Sequence, residues 1–257
     1  MIHPYASETY ANAFREIAAP VFLKSSRTWV LKRRIPDTDS YDAMGCYPLC
    51  VIESSADLET DFVDLRGQGL VSLVLVTDTF FRPDVARLQE AFDVCKPFKK
   101  HYLYDPRTPF AYGKHHRYEV KKSVADCETR VVPFEKHFHE WLALYGYLIR
   151  ERGIAGIQNF PESYFRGLVG LDGLIAIAAF VEGKAVSMYL WIEHEGYVYS
   201  HLGASSEEGY RMRAAYAIYD HAIRLFGDRK VMDFGGGVGL EDTPDDGLAA
   251  FKNGFST

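Results

Sequence analysis

Long apolar runs are missing from this sequence: no stretch approaches the roughly 18 residues a membrane-spanning helix needs, so no spanning segment is expected. Met1 to Phe14 scatter their apolar residues around Glu8, with Arg15 directly after, and lack the continuous apolar core of a secretory signal. A cytoplasmic location is the resulting expectation. Cysteine is scarce. Four residues (Cys46, Cys50, Cys95 and Cys127) among 257 do not make a disulfide framework. The Cys46-x3-Cys50 pair has neither a second close pair nor a histidine at zinc-site spacing. Reduced structural thiols and no bound metal are expected. With 47% hydrophobic and 25% charged residues, the chain is neither disordered nor fibrous. Its length allows one large domain or two compact ones.

What charge there is has been gathered unevenly. Lys24, Arg27, Lys32, Arg33 and Arg34 form a stretch with no acidic residue. Lys96, Lys99, Lys100, Arg107, Lys114, Arg117, Lys121 and Lys122 form a second against only Asp105 and Glu119. These segments carry +5 and +6 in a chain of net charge −6, which leaves −17 for the rest. Each is either a solvated basic face or a place for phosphate, where Arg and Lys supply charge-assisted hydrogen bonds. Two such clusters favour the second reading. The acidic remainder argues against general coating of nucleic acid, which draws on many phosphate contacts.

The second half of the chain has the clearer pattern. Glu128–Pro133 reads as a strand, and Phe134–Arg152 as a helix ended by Gly153, its apolar residues recurring at three and four. Pro161 opens a short helix through Leu168. Strands are expected at Leu174–Glu182, Ala185–His194 and Tyr197–Ala204, joined by tight turns at Glu182-Gly183-Lys184 and Glu195-Gly196. One long helix, Glu207–Phe226, follows; then a strand, Lys230–Phe234, Gly235-Gly236-Gly237, and a helix, Gly247–Asn253. In the first half, helices are expected at Ser7–Ile17, Asp57–Arg66 and Pro83–Cys95, and extended chain at Thr28–Ile35 and Tyr47–Ile52. Leu70–Thr77 is so continuously apolar that it reads as a buried strand. Lys99–Tyr104 would be the strand closing a strand–helix–strand unit. Pro106, Pro109 and Gly113 mark a linker near residues 106–116.

The element order of the second half resembles that of the GNAT acyltransferase fold. Asp233-Phe-Gly-Gly-Gly-Val-Gly, an acidic proline-containing loop, and then Gly247-Leu-Ala-Ala-Phe-Lys-Asn-Gly-Phe255 resemble the Fem family of aminoacyl transferases. His116-Arg-Tyr-Glu-Val-Lys-Lys-Ser123, Arg150–Gly153, His201-Leu-Gly-Ala-Ser205 and Tyr216–Ile223 resemble further stretches of that family. The family's Pro-Asn before the tyrosine is here Ala214-Ala215. The likeness covers most of residues 114–255, and Gly45-Cys-Tyr-Pro-Leu49 only loosely extends it. It implies an α/β protein of tandem GNAT-like domains with mixed, mostly antiparallel sheets: a reduced domain over 1–110 and a complete one over 114–257.

The resemblance also implies a site. Phe251 and Lys252 match the family's catalytic Phe-Lys pair, the lysine steadying an oxyanion or leaving group and the phenylalanine fixing its stem. Asp233 is a candidate base by position, with substrate-assisted transfer as the alternative. Tyr216 and the amides of Gly235, Gly236 and Gly237 would bind substrate, although a triple glycine is equally a sharp turn. Arg117, Lys121 and Lys122 would clamp a diphosphate. Asp233-Phe-Gly is not a kinase signature here, because no Gly-rich loop, strand lysine or His-Arg-Asp segment accompanies it. His137-x-His139 lies beside an apolar stripe and reads as packed or solvated histidine, not a metal site.

CoA users of the GNAT fold carry a glycine-rich pyrophosphate loop after the fourth strand. Here Ala204-Ser-Ser-Glu-Glu-Gly-Tyr-Arg-Met-Arg-Ala214 stands there, and Glu207-Glu208 would repel pyrophosphate, leaving only Arg211 and Arg213 for an atypical version. The expected activity is therefore N-acyl transfer of an aminoacyl group from aminoacyl-tRNA to an amine. The acceptor would be a phosphorylated or nucleotide-linked envelope, polysaccharide or peptide precursor. The partners are that acceptor and the acceptor end of the tRNA, with no permanently bound cofactor. The alternatives are an acyl-CoA-dependent N-acetyltransferase of amino sugars and a non-catalytic GNAT-like binding module.

Overall fold

A computed structural model describes residues 1–237 and 246–257. The acidic, proline-containing stretch expected before the last helix lies, apart from Asp246, outside the described residues. Contacts gather the chain into two units, Met1–Phe98 with Phe160–Asp172, and Lys99–Asn159 with Gly173–Thr257. This division differs from the expected 1–110 and 114–257.

The chain runs α1 (Glu8–Asn12), β1 (Ala19–Leu23), β2 (Thr28–Arg34), β3 (Tyr41–Gly45), α2 (Leu58–Gly67), β4 (Leu70–Val74) and α3 (Val85–Ala91). Next come β5 (Leu103–Tyr104), α4 (Lys114–Asp126), β6 (Glu128–Val132), α5 (Phe138–Arg152) and α6 (Glu162–Leu168). The remainder is β7 (Leu174–Val181), β8 (Lys184–His194), β9 (Tyr197–Ser205), α7 (Glu207–Arg211), α8 (Ala214–Phe226), β10 (Val231–Asp233) and α9 (Gly247–Asn253). The fold class is the one expected, α/β with mixed and mostly antiparallel sheets.

The first unit has a sheet in the order β1-β2-β3-β4, antiparallel except for the β3–β4 pair. Leu23, Val30, Ala43, Leu65 and Leu70 form its core beneath α2. Asp57 starts α2 by accepting the Thr60 amide, as an N-cap should. The apolar run Leu70–Thr77 is not a buried strand. Only Leu70–Val74 forms a strand, at the sheet edge, and Val71 and Val74 are 65% and 66% exposed. An edge strand has a neighbour on one side only, so composition alone does not bury it. Tyr47–Ile52 contributes only an isolated bridge, Cys50 to Thr77. β1 was not foreseen. In the first basic cluster, Arg33 and Arg34 pair with Asp42 and Asp39 at 3.0 and 2.9 Å, and Lys32 donates to the Gln68 carbonyl. Two of its five charges are thus paired with aspartates, and Lys24, Arg27, Arg33 and Arg34 are exposed.

The second unit has six strands in the order β5-β10-β9-β8-β7-β6, with β9 and β10 its parallel pair. Helix α8 lies across β6–β9, and α5 packs on β8 and β9. That sandwiching explains why the middle of β7 and β8 is buried on consecutive residues and not on alternate ones. The Glu182-Gly183 turn has both residues at positive φ, as a two-residue hairpin loop requires. Trp191, Tyr219, Phe234 and Phe255 interlock at the centre. β10 pairs with β9 only at Tyr197–Tyr199, so the rest of β9 runs on beside β8 alone.

Three expectations change here. The helix Glu207–Phe226 is two helices: Arg213 sits between them in left-handed conformation (φ 57°) and forms an ion pair with buried Glu119 of α4. The strand expected at Lys99–Tyr104 is reduced to Leu103–Tyr104 and joins the second sheet beside β10, instead of closing a unit in the first half. The linker expected at 106–116 ends earlier, because α4 starts at Lys114.

The packing around Trp191 makes a stability prediction. Trp191→Ala leaves a cavity between β8, α8 and Phe234 and should cost about 3–5 kcal/mol of unfolding free energy, read as a lower midpoint in urea.

Candidate active site

The site is built on the turn that ends β10. Asp233 is buried, and its Oδ1 accepts the Gly235 amide at 2.7 Å, which draws the chain into the turn. Gly235 has φ 74°, a conformation costly for other residues. The next two glycines answer to close approach instead. A Cβ on Gly236 would stand 2.6 Å from the Lys99 stem, and one on Gly237 would collide with the Asp246 carboxylate. The triple glycine is a sharp turn, one of its two expected readings, and the groups that approach its backbone are side chains of the chain itself.

Asp246 starts α9. Its Oδ1 accepts the amides of Leu248 and Ala249 at 2.9 and 3.0 Å, fixing the first turn. The helix then delivers Lys252 back to the glycines, where Nζ donates to the Gly236 carbonyl at 2.7 Å. Burial lowers the ammonium pKa to about 8, with Asp233 and Asp246 opposing the shift and Lys99 reinforcing it. Lys252 is thus still mostly protonated at neutral pH, with two donors beyond the one given to Gly236.

Phe251, on the same turn of α9, packs among Tyr216, Tyr219, Phe255 and His116, with ring centroids 4.8–6.3 Å apart. His116 holds this helix from α4. Its Nε2 donates to the Phe251 carbonyl at 2.9 Å, and its ring lies where a Cβ on Gly254 would be. Burial lowers the His116 pKa, so the ring is a neutral donor to a helix-end carbonyl that lacks an intrahelical partner. Tyr216, in the first turn of α8, closes the aromatic group and meets the His115 ring at 3.4 Å through its hydroxyl.

The structure thus gathers Asp233, Gly235, Gly236, Gly237, Phe251, Lys252 and Tyr216. The basic residues it places elsewhere. Arg117, Lys121 and Lys122 lie on the exposed face of α4, opposite the buried His116, Val120 and Ser123. Arg117 donates to the Tyr112 carbonyl at 3.0 Å. The α4 segment does meet the tail helix, but through His116. Arg211 pairs with Glu208 at 3.2 Å, and Arg213 with Glu119. At the position of the CoA loop, Ser206 caps α7 by accepting the Gly209 amide, and Glu207 and Glu208 occupy its first turn.

Sequence reading missed Lys99, His101, Asp246 and His116 as site residues. His101 Nδ1 lies 2.8 and 3.0 Å from the two Asp233 oxygens. The backbone on either side fixes this pair: Phe234 N–H donates to the Tyr102 carbonyl at 2.9 Å, and Tyr102 N–H to the Gly235 carbonyl at 3.1 Å. The only sequence signal was the Lys99-Lys100-His101 run within the second basic cluster. Among the described residues, no group of three His, Cys, Asp or Glu is placed to hold a metal ion, and no helix is long and apolar enough to cross a membrane.

Solved structures share this architecture. The C-terminal domain of a protein from Agrobacterium fabrum assigned as a lysylphosphatidylglycerol synthetase matches 97% of this chain and 83% of its own, at 14% identity and TM-score 0.68. FemX matches 98% of this chain and 90% of its own, at 12% identity and TM-score 0.66. L-PGS from Bacillus licheniformis matches 99% and 90%, at 14% identity and TM-score 0.63. The chain shares its fold with these proteins. No family model matches the sequence, and no curated protein matches it significantly.

Lys252 should leave a signature in the pH dependence of stability. Its pKa rises from about 8 in the folded chain to 10.5 on unfolding, so between those values the unfolded chain holds more protons and stability rises with pH. In Lys252→Met that contribution to the rise between pH 8 and 10.5 should vanish, as followed by urea midpoints.

Proposed function

We propose that this chain is an acyltransferase that moves an aminoacyl group from aminoacyl-tRNA to an amine. The observation that carries the reading is Lys252, a largely desolvated ammonium fixed by a glycine-turn carbonyl, with two N–H donors that take no partner among the described residues. Attack on an aminoacyl ester passes through a tetrahedral intermediate, and a fixed cation at the developing oxyanion contributes on the order of 2.7–4 kcal/mol. Desolvation strengthens that contribution, because the lysine needs no reorganisation of water to act. Phe251 anchors the turn of α9 that carries the lysine, and Lys99, laid along Gly236, adds a second positive charge at the same turn. Both suit a donor or acceptor that carries phosphate. The shared fold with FemX and with lysylphosphatidylglycerol synthetases supports an aminoacyl donor.

The acceptor we propose is an amine on a phosphorylated or nucleotide-linked precursor of an envelope, polysaccharide or peptide product, handled in the cytoplasm where charged tRNA is made. Arg117, Lys121 and Lys122, exposed on α4, would meet phosphates of a ligand that reaches that face. Acyl-CoA is the weaker donor: a pyrophosphate at the start of α7 would face Glu207 and Glu208, and both nearby arginines are already paired with glutamates.

Incubation with a panel of charged tRNAs and amine acceptors, read by mass spectrometry, should yield an amide product. Lys252→Ala should lower kcat/KM about 100- to 1,000-fold in a chain that still unfolds cooperatively. Product formed from acyl-CoA alone would favour an N-acetyltransferase. A Lys252→Ala chain that keeps full biological activity would favour a binding module.

A further inference from the structure

We infer that the base of this site is His101, oriented by Asp233, an assignment that rests on the acyl-transfer reading above. Asp233 itself is poorly placed to meet an amine. Its side chain is only 4% exposed, and its oxygens are taken up by the Gly235 amide and by His101 Nδ1. A carboxylate only accepts hydrogen bonds, so the ring nitrogen facing it must carry the proton. In the neutral ring that leaves Nε2 with its lone pair, and among the described residues no partner occupies it. The His101 side chain is 22% exposed, against the buried aspartate behind it. A buried carboxylate, an imidazole locked in one tautomer and an open Nε2 make the arrangement that turns histidine into a directed proton acceptor.

The backbone bonds on either side of the pair hold His101 to the same turn whose Gly236 carbonyl receives Lys252. Among the described residues, the charged groups around this turn are Asp233 on β10, Lys99 on the histidine's own segment, Lys252 on α9 and Asp246 at its start. In the step, the acceptor nitrogen bonds to the ester carbonyl carbon, and the carbonyl electrons move to its oxygen beside Lys252. Nε2 takes one proton from that nitrogen. When the carbonyl re-forms, the bond to the tRNA ribose oxygen breaks with its electron pair on the oxygen, and the imidazolium returns the proton there. An amide and a free ribose hydroxyl leave, and His101 is neutral again.

Two measurements on the full chain test this. Nitrogen-15 NMR of the histidines should show His101 protonated at Nδ1 and bare at Nε2 near neutral pH, with the pattern reversed in Asp233→Asn. A bare Nδ1 in the unmodified protein overturns the inference without any assay. In the transfer assay, His101→Gln should lower kcat about 100- to 1,000-fold with KM little changed, and the acid limb of the pH–rate profile should disappear. Added imidazole should restore part of the rate. Unimpaired transfer by His101→Gln, with the acid limb intact, overturns the base while leaving acyl transfer standing. If the unmodified chain makes no product from any charged tRNA, the acyl-transfer reading falls, and the role of His101 with it.

Discussion

Three side chains close on one backbone turn because residues 235 to 237 carry none of their own. Lys99 lies along Gly236, Asp246 fills the space beside Gly237, and the Lys252 ammonium rests on the Gly236 carbonyl. Any larger residue in the middle of that turn would push these groups outward. The turn is in turn anchored by Asp233, which spends one oxygen on the Gly235 amide and both on the imidazole of His101. A single short segment thereby sets the positions of a cation, a base and two further charges.

The helix that carries Lys252 is only seven residues long, too short to be stable alone. It is held at both ends by other parts of the chain. Asp246 satisfies its first amides, and His116 of α4 satisfies the Phe251 carbonyl near its end. Between these caps, Phe251 and Phe255 are packed into the aromatic group of Tyr216, Tyr219 and His116. Burial is the largest cause of the lysine's lowered pKa, and its ammonium lies against the glycine turn.

Charge along the chain proved a poorer guide than charge in space. Of the two basic clusters, the first spends Arg33 and Arg34 on aspartates within its own unit. The second divides: Arg117, Lys121 and Lys122 face solvent on α4, while Lys99 and His101, at its other end, reach the glycine turn. On α4 the exposure of Arg117, Lys121 and Lys122 follows from helical periodicity, because the buried side is given to His116, Glu119, Val120 and Ser123.

The sequence by itself determined β6 to β10 with the tight turns between β7, β8 and β9, the α/β class, and the segments on which Asp233, the glycines, Phe251 and Lys252 lie. These are encoded in local periodicity, turn residues and one short pattern, all of which act over a few neighbours. Tertiary structure alone decided the break at Arg213, where a left-handed residue meets Glu119 from a distant helix. It also decided the exposure of the apolar strand β4, which depends on what lies across its face. The pairing of His101 with Asp233 joins residues 132 positions apart, and no local preference reports on such a contact. Proximity across the sheet edge, set by the alignment of β5 with β10, is what made it.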